Sequence, residues 1–441
     1  VTGLCPASRI SWPEGFQVTT EHELAAAFPE TCEGHLFITG RAGTGKSTLL
    51  RCLREIIADQ GIVLAPTGLA AINVGGQTIH SFFGFPPRLI GPDDIRRSRN
   101  ARIMRQLKFL IIDEVSMVRS DLMWAIDQAL RVNRGRPREP FGGVRLLLFG
   151  DLHQLPPVVQ EAAEAEHLEA RFGGPFFFDV PTLQDGAGTA YLELKHVFRQ
   201  DDADLVSVLD RIREGEAGPD DLELLNSRVR PIRNLAEGDA FVILTPTNAA
   251  ANRINAAYLE ALPGQAYAYE ASLTGDFSDA AQPTDSILLL KPGAKVILLR
   301  NDPDRRWVNG TIARISRLSE SQVWVEIDGK EHEVEPVAWE NRRYAYDQAA
   351  EKIVETVAGT FKQFPLRLAW ALTIHKSQGL TLDRVYIDLG RGTFAHGQAY
   401  VAISRCRSLD GLAFARPLRP QDVLFDPATL RYRELFPALA A

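Results

Sequence analysis

Four cysteines in 441 residues, Cys5, Cys32, Cys52 and Cys406, stand far apart and never in C-x-x-C spacing. Their scarcity excludes a disulfide framework and a thiolate zinc centre, leaving reduced thiols as the reading. No apolar run approaches the ~18 residues that a membrane span needs. The opening residues lack the basic-then-apolar pattern of a secretory leader, and Val1 in place of Met leaves room for sequence upstream. Positive charge is also short: 49 Lys and Arg against 56 Asp and Glu give a formal net charge of −7. That balance argues against a protein that coats nucleic acid by bulk charge, but not against one that grips a strand in a local groove. There is no repeat of fixed period and no low-complexity tract. What is present, 45% apolar and 24% charged residues, is ordinary for a globular chain. A length of 441 residues suggests about two to four domains.

One stretch organises the rest. Gly40-Arg-Ala-Gly-Thr-Gly45-Lys46-Ser47 reads G-x-x-x-x-G-K-S, preceded by the apolar run Leu36–Ile38 and followed by apolar residues at helical spacing from Thr48 to Ile57. A strand, a glycine-rich turn and a helix start form the context in which this pattern cradles phosphate. Gly43, Thr44, Gly45, Lys46, Ser47 and Thr48 are the expected nucleotide contacts. Lys46 suits the β- and γ-phosphates, and the Ser47 hydroxyl suits Mg²⁺.

Further apolar runs alternate with helical stretches. Gly61–Thr67, Phe109–Glu114 and Val144–Asp151 read as strands, while Asp121–Arg131 reads as a helix with Leu122, Ala125, Ile126, Ala129 and Leu130 on one side. Thr20 reads as a helix N-cap before Glu21–Phe28. Unbroken apolar strands separated by helices predict a parallel sheet covered on both faces. Residues 34–195 are accordingly expected to form one α/β domain after an N-terminal segment 1–33, with a small insertion near 84–105 that carries Arg96, Arg97, Arg99, Arg102 and Arg105. A second α/β domain is expected from residues 196–294 and 362–441, with runs at Phe241–Leu244, Leu368–Leu372 and Val385–Asp388. Between them, residues 295–361 are β-rich, and Asp328-Gly329 after Gln322–Ile327 signals a hairpin. This reads as a small β-barrel-like insertion.

Asp113-Glu114 ends an apolar strand, where the Asp can hold Mg²⁺ and the Glu can orient or deprotonate a water. Gly150–Pro157 ends the next strand, so Gln154 can touch the γ-phosphate or its attacking water. Phe82, Phe83 and Phe85 admit two readings, stacking on bases or core packing. His375 lacks a neighbouring His or Cys and does not read as a metal ligand.

Gly40–Ser47, Asp113–Met117, Gly150–Pro157, Thr373–Gly379 and Tyr400–Arg407 resemble, in this order, the motifs of superfamily 1 helicases. The chain is most similar to the Pif family of DNA helicases, RecD relatives of superfamily 1B, supported by Pro66–Ala71, Gly75–Ser81 and the stretch Asp121–Gly143. The resemblance covers roughly residues 34–415. It implies two RecA-like P-loop domains with an SH3-like insertion, ATP and Mg²⁺ as cofactors, and 5′→3′ travel on single-stranded DNA. Fork or partial-duplex DNA is the implied substrate, with G-quadruplexes and RNA–DNA hybrids as further partners and roles in repair, recombination and telomere maintenance. A monomer in the absence of DNA, no membrane partner and, in a bacterium, a cytoplasmic, nucleoid-associated location are also implied. Arg199 and Arg405 would be arginine fingers, and Gly379 a further nucleotide contact. Pro66, Thr67, His80, Ser81, Thr373, His375, Lys376 and Ser377 would grip the strand through its phosphates. No glutamine just upstream of Gly40 reads as an adenine contact except Gln17. The motor residues alone leave open a strand-stimulated ATPase that translocates without separating duplex. A P-loop nucleotide kinase or switch is a third reading, disfavoured by the second α/β domain.

Overall fold

The apolar runs of the first half pair side by side in a computed structural model, which describes residues 10–159, 161–184, 188–198, 202–390, 392–393 and 395–439. β1 (His35–Gly40), β2 (Gly61–Ala65), β3 (Gln77–Thr78), β4 (Phe109–Ile112), β5 (Arg145–Phe149) and β6 (Thr189–Leu194) make a parallel sheet ordered β3-β2-β4-β5-β1-β6. β1, β2 and β4 are buried along their whole length, which is why they carry no polar alternation. Helices Lys46–Ile56 and Ser120–Arg134 cover the sheet, the latter closed by Gly135 at φ +70°. The first helix, Thr20–Thr31, is capped by Thr19 rather than Thr20, because His22 Nδ1 three residues on accepts the Thr19 N–H.

β7 (Val242–Thr245) opens a second sheet, which is then interrupted by antiparallel strands. These are β8 (Tyr267–Glu270), β9 (Ser272–Gly275), β10 (Ile287–Leu290), β11 (Lys295–Leu298), β12 (Ile312–Leu318), β13 (Val323–Ile327), β14 (Lys330–Val334), β15 (Val337–Asp347), β16 (Lys352–Gln363) and β17 (Leu366–Leu368). Five of them form one sheet, β14-β13-β12-β11-β17. The hairpin expected at Asp328-Gly329 is there, with both residues at positive φ (+50° and +74°) between paired Ile327 and Lys330. β18 (Ala371–Thr373), β19 (Val385–Ile387) and β20 (Leu412–Phe414) then complete the second parallel sheet, ordered β18-β7-β19-β20.

The single strand expected over Leu368–Leu372 is two strands in two sheets. Leu366–Leu368 pairs with β11 and Ala371–Thr373 with β7, with buried Ala369 and Trp370 between them. Continuous apolarity cannot reveal such a break, since no polar residue between Leu368 and Leu372 marks it.

The long hairpin β15–β16 reaches back to the first sheet. β3 pairs only with Leu64 and Ala65, so the polar groups of Val63 lack a strand partner there. Tyr344 supplies one: its hydroxyl accepts from Val63 N at 3.0 Å and lies 3.2 Å from the Val63 carbonyl oxygen. Arg54 and Glu355 pair across the same junction. The chain's end also returns to the first sheet: Leu439 N donates to the Tyr191 carbonyl at 2.7 Å, and Tyr432 and Phe436 enter its core. Among the described residues no helix is long and apolar enough to cross a membrane.

Candidate active site

Three neighbouring strands of the first sheet, β4, β5 and β1, end in Asp113-Glu114, Gly150–Gln154 and Gly40–Ser47 respectively. Adjacent carboxyl ends in an open α/β sheet share one crevice. The turn after β1 needs its glycines. Gly40, Gly43 and Gly45 all have positive φ (+147°, +85° and +86°), and a Cβ on Gly40 would lie 2.6 Å from the Leu194 carbonyl oxygen. Lys46 Nζ donates to the carbonyls of Gly40 at 2.5 Å and Arg41 at 2.8 Å, so the ammonium lies folded over the loop. Ser47, exposed, and Thr48 occupy the first turn of helix Lys46–Ile56, whose amino end favours anions. Thr44 is buried and its hydroxyl donates to the Arg41 carbonyl, fixing the loop from within.

Glu114 sits at φ +49°, ψ +43°, a left-handed conformation worth roughly 1–3 kcal/mol of strain for a non-glycine residue. Burial raises both carboxyl pKa values in this pair; for Glu114 the adjacent Asp113 raises it further, while Lys46 pulls both back. A carboxylate held above its ordinary range is suited to take a proton near neutral pH. The positive charge of Lys46 acts on Asp113, Glu114 and Asp151 alike, which ties the three strand ends into one electrostatic unit. Among the described residues no cluster of three His, Cys, Asp or Glu could hold a metal unaided. A Mg²⁺ bound at these strand ends would need phosphate and water oxygens to complete its shell.

Gln154 is 7% exposed and spans the seam between the sheets. Its Nε2 donates to Asp151 Oδ2 at 3.0 Å, and its Oε1 faces Gln378 Nε2 of the second sheet at 3.5 Å. Gly397, which precedes helix Gln398–Ile403, packs directly on the Gln154 and His153 backbone. Arg405 follows that helix. Its guanidinium is buried and donates to the carbonyls of Val401 (2.9 Å), Ser377 (3.3 Å) and Leu380 (3.3 Å), while its charge lowers the pKa of Glu114. Arg199 lies outside the described residues; Phe198 N, just before it, donates to the Gly43 carbonyl at 3.0 Å. Gly379 has φ +79° and open space around it.

The expected strand-gripping residues lie at the carboxyl ends of other strands. Pro66, half-buried, and Thr67, exposed, follow β2, which lies beside the edge strand β3. The Thr67 hydroxyl caps the next helix by accepting from Ala70 N. His80 and Ser81, both half-buried, follow β3, and Ser81 Oγ accepts from Gln77 Nε2. His375 and Lys376 are exposed after β18, whereas Thr373 and Ser377 are buried and the Ser377 hydroxyl donates to the Ile374 carbonyl. Phe82, Phe83 and Phe85 are core residues, 0–7% exposed and packed on one another, so of their two readings core packing holds.

Three residues at the site escaped the sequence reading. Gln17 is exposed, and the side chain that reaches the phosphate loop from this region is His22, 1% exposed, with Nε2 3.2 Å from the Thr44 carbonyl. Phe16 and Phe198 pack against it at 5.2 and 6.2 Å. The capping-box spacing Thr19-x-x-His22 was its available signal. Gly397 and Arg213, both on the seam, had none, since their partners are distant in sequence.

Residues 20–208 match the family described as PIF1-like helicase. ATP-dependent DNA helicase Pif1 of Bdellovibrio bacteriovorus is 34% identical over 417 residues, 92% of this chain and 89% of that protein. Unliganded Pif1 from Bacteroides sp superposes with a TM-score of 0.87 at 35% identity, covering 95% of this chain and 97% of that one. Bacteroides Pif1 bound to ssDNA gives 0.65 at 36% identity over the same shares.

Proposed function

The chain belongs to the PIF1-like helicase family, and on that premise we propose that it works as an ATP-dependent DNA helicase by closing two RecA-like lobes on one ATP. The observation that carries this reading is the seam: three strand ends of the first sheet converge on the phosphate loop, and the helix leading to Arg405 packs on Gln154 from the other side.

In this mechanism Lys46 leaves the Gly40 and Arg41 carbonyls for the β- and γ-phosphates, and the amides of Gly43 to Thr48 surround the phosphate chain. Ser47 and Asp113 would hold Mg²⁺, which supplies neutralising charge between phosphates. Glu114 accepts a proton from the attacking water, and Gln154 orients that water. Arg405, and Arg199 by resemblance, stabilise charge on the transferring phosphoryl, a role worth about 10³–10⁵ in rate. The lobes stay shut while the terminal phosphate joins them and part when it leaves. Pro66, Thr67, His80 and Ser81 on one lobe and Thr373, His375, Lys376 and Ser377 on the other then alternate in their hold on the phosphodiester backbone. Thr373 and Ser377 must turn outward to take part.

Strands β11 to β14 of the five-stranded antiparallel sheet are read as part of the SH3-like insertion, and the division at residues 34, 196, 295 and 362 as the domain plan. Single-stranded and forked DNA are the expected partners, quadruplexes and RNA–DNA hybrids further ones, and a monomer the expected free state. In a bacterium its place is the nucleoid. Strand displacement on partial duplexes with 5′ or 3′ tails tests the reading. Unwinding of the 5′-tailed substrate alone, with ATP turnover stimulated by the oligonucleotide, is expected. Stimulated turnover without unwinding would instead identify a translocase, and turnover indifferent to DNA would overturn the motor.

A further inference from the structure

One buried charge at the seam has no part in the mechanism above: Arg213, one residue before the end of helix Ala203–Glu214. The apolar side of that helix, Leu205, Val208, Leu209 and Ile212, belongs to the core of the second sheet. The guanidinium nonetheless points to the first. Nη1 donates to Glu193 Oε1 on β6 at 2.7 Å, and Nε stands 3.7 Å from Asp151 Oδ1 just after β5. Arg213 is 3% exposed, and among the described residues neither Nε nor Nη2 has a hydrogen-bond partner.

The carboxylate it faces is equally enclosed. Asp151 is 1% exposed; Oδ1 accepts from His153 N at 3.2 Å and Oδ2 from Gln154 Nε2 at 3.0 Å. Asp151 therefore sets where the Gln154 side chain points. A buried carboxylate and a guanidinium with orphan N–H groups each carry a large desolvation cost, offset most fully when they meet at hydrogen-bond distance. At 3.7 Å they fall short of the ~2.7–2.9 Å of a charge-assisted bond. The gap runs between a helix packed with the second sheet and a strand end of the first. Approach of the two sheets by less than about 1 Å would close it.

We propose that Arg213 is a positioning residue for ATP hydrolysis: as the lobes close it bonds Asp151, which locks Gln154 in its working orientation. Arg213 does not touch the nucleotide; it reports the position of one lobe to a side chain of the other. The inference rests on the assignment of Gln154 made above. If the cluster serves only to fasten the helix, its loss lowers stability without a selective effect on turnover.

Arg213→Met and Arg213→Lys, read by steady-state ATPase with saturating oligo-dT together with thermal melting, separate the two. Arg213→Met should lower kcat by about thirtyfold or more while KM for ATP stays within about threefold, the pattern of an interaction made in the transition state. Arg213→Lys, which keeps the cation, should recover turnover to within about threefold of wild type. Asp151→Asn should cost as much as Arg213→Met, and the double variant should lose no more than the worse single one, because the two act in series. If Arg213→Met does not fold, Asp151→Asn and Arg213→Lys decide the matter. A folded Arg213→Met or Asp151→Asn with wild-type kcat, or an Arg213→Lys no better than Arg213→Met, overturns the proposal. Wild-type protein without DNA-stimulated turnover would instead sink the helicase reading.

Discussion

Replacing Gly397 with alanine puts one methyl group into the seam between the lobes. A Cβ there would lie 2.6 Å from the Gln154 carbonyl carbon and 2.7 Å from the His153 carbonyl oxygen, and nearer still to the Gln154 carbonyl oxygen. Ordinary contacts between such atoms lie near 3.5–4.0 Å, so relieving the shortest of the three takes a retreat of helix Gln398–Ile403 by about 1.5 Å. The backbone φ of +76° adds roughly 1–2 kcal/mol for an L-residue. Arg405 lies two residues beyond this helix, and Gln154 is the surface it would leave. A misplacement of about 1 Å among groups that act together costs on the order of 10²-fold in rate, or about 2.7 kcal/mol of barrier. Lys46 and its loop belong to the other sheet, so ATP affinity should change little. The assay is DNA-stimulated ATP turnover against ATP concentration, with thermal melting in parallel. Gly329→Ala is the control, since φ is +74° there but no atom lies within 4 Å of the added Cβ. It should share the backbone penalty and keep wild-type turnover. A Gly397→Ala enzyme that stays folded and turns over within about threefold of wild type would refute a tight, catalytically engaged seam.

Arg405→Ala should bind ATP nearly normally, measured with a fluorescent analogue, yet hydrolyse it at least about a hundredfold more slowly; lost binding with unchanged saturated turnover would remove it from the reaction. Tyr344→Phe leaves the Val63 N–H without its hydroxyl acceptor, so urea unfolding should report a loss of about 1–3 kcal/mol. His35 Nδ1 accepts from Leu146 N, and burial together with the Arg145 charge lowers its pKa to about 4. The unfolded chain therefore gains a proton near pH 6.5 that the folded one refuses, and stability falls as pH drops. Between pH 6.5 and 5.5, where the unfolded imidazole goes from half to nearly fully protonated, this amounts to about 1 kcal/mol, measured by urea midpoints. His35→Asn, with an acceptor that does not titrate, should reduce the slope by that amount, leaving the share of buried His153, whose pKa burial also lowers; an unchanged slope counts against the assignment.

The phosphate loop was legible because its chemistry is local. Three glycines and the strand and helix beside them dictate a turn whose amides point inward whatever surrounds it. The positions of Asp113 and Gln154 were legible for a related reason: one directly follows an unbroken apolar run and the other lies in the turn after the next, and such runs pair in parallel with their carboxyl ends together. The three phenylalanines after Ser81 show the limit of pattern, since aromatic rings suit a base or a core equally and only the packed surroundings choose. Leu368–Leu372 shows another, because an unbroken apolar run hides a change of sheet.

Residue order and spacing thus sufficed for the glycine turn between β1 and its helix, the alternation of strands and helices, and the turn at Asp328-Gly329. Tertiary packing alone decided that Gly397 meets Gln154, that Tyr344 completes β2, and that Arg213 faces Asp151. Each of those pairs is joined across dozens to hundreds of residues by contacts between lobes. Short-range backbone preferences act within a few positions of a residue, and nothing in them specifies which distant surface will arrive.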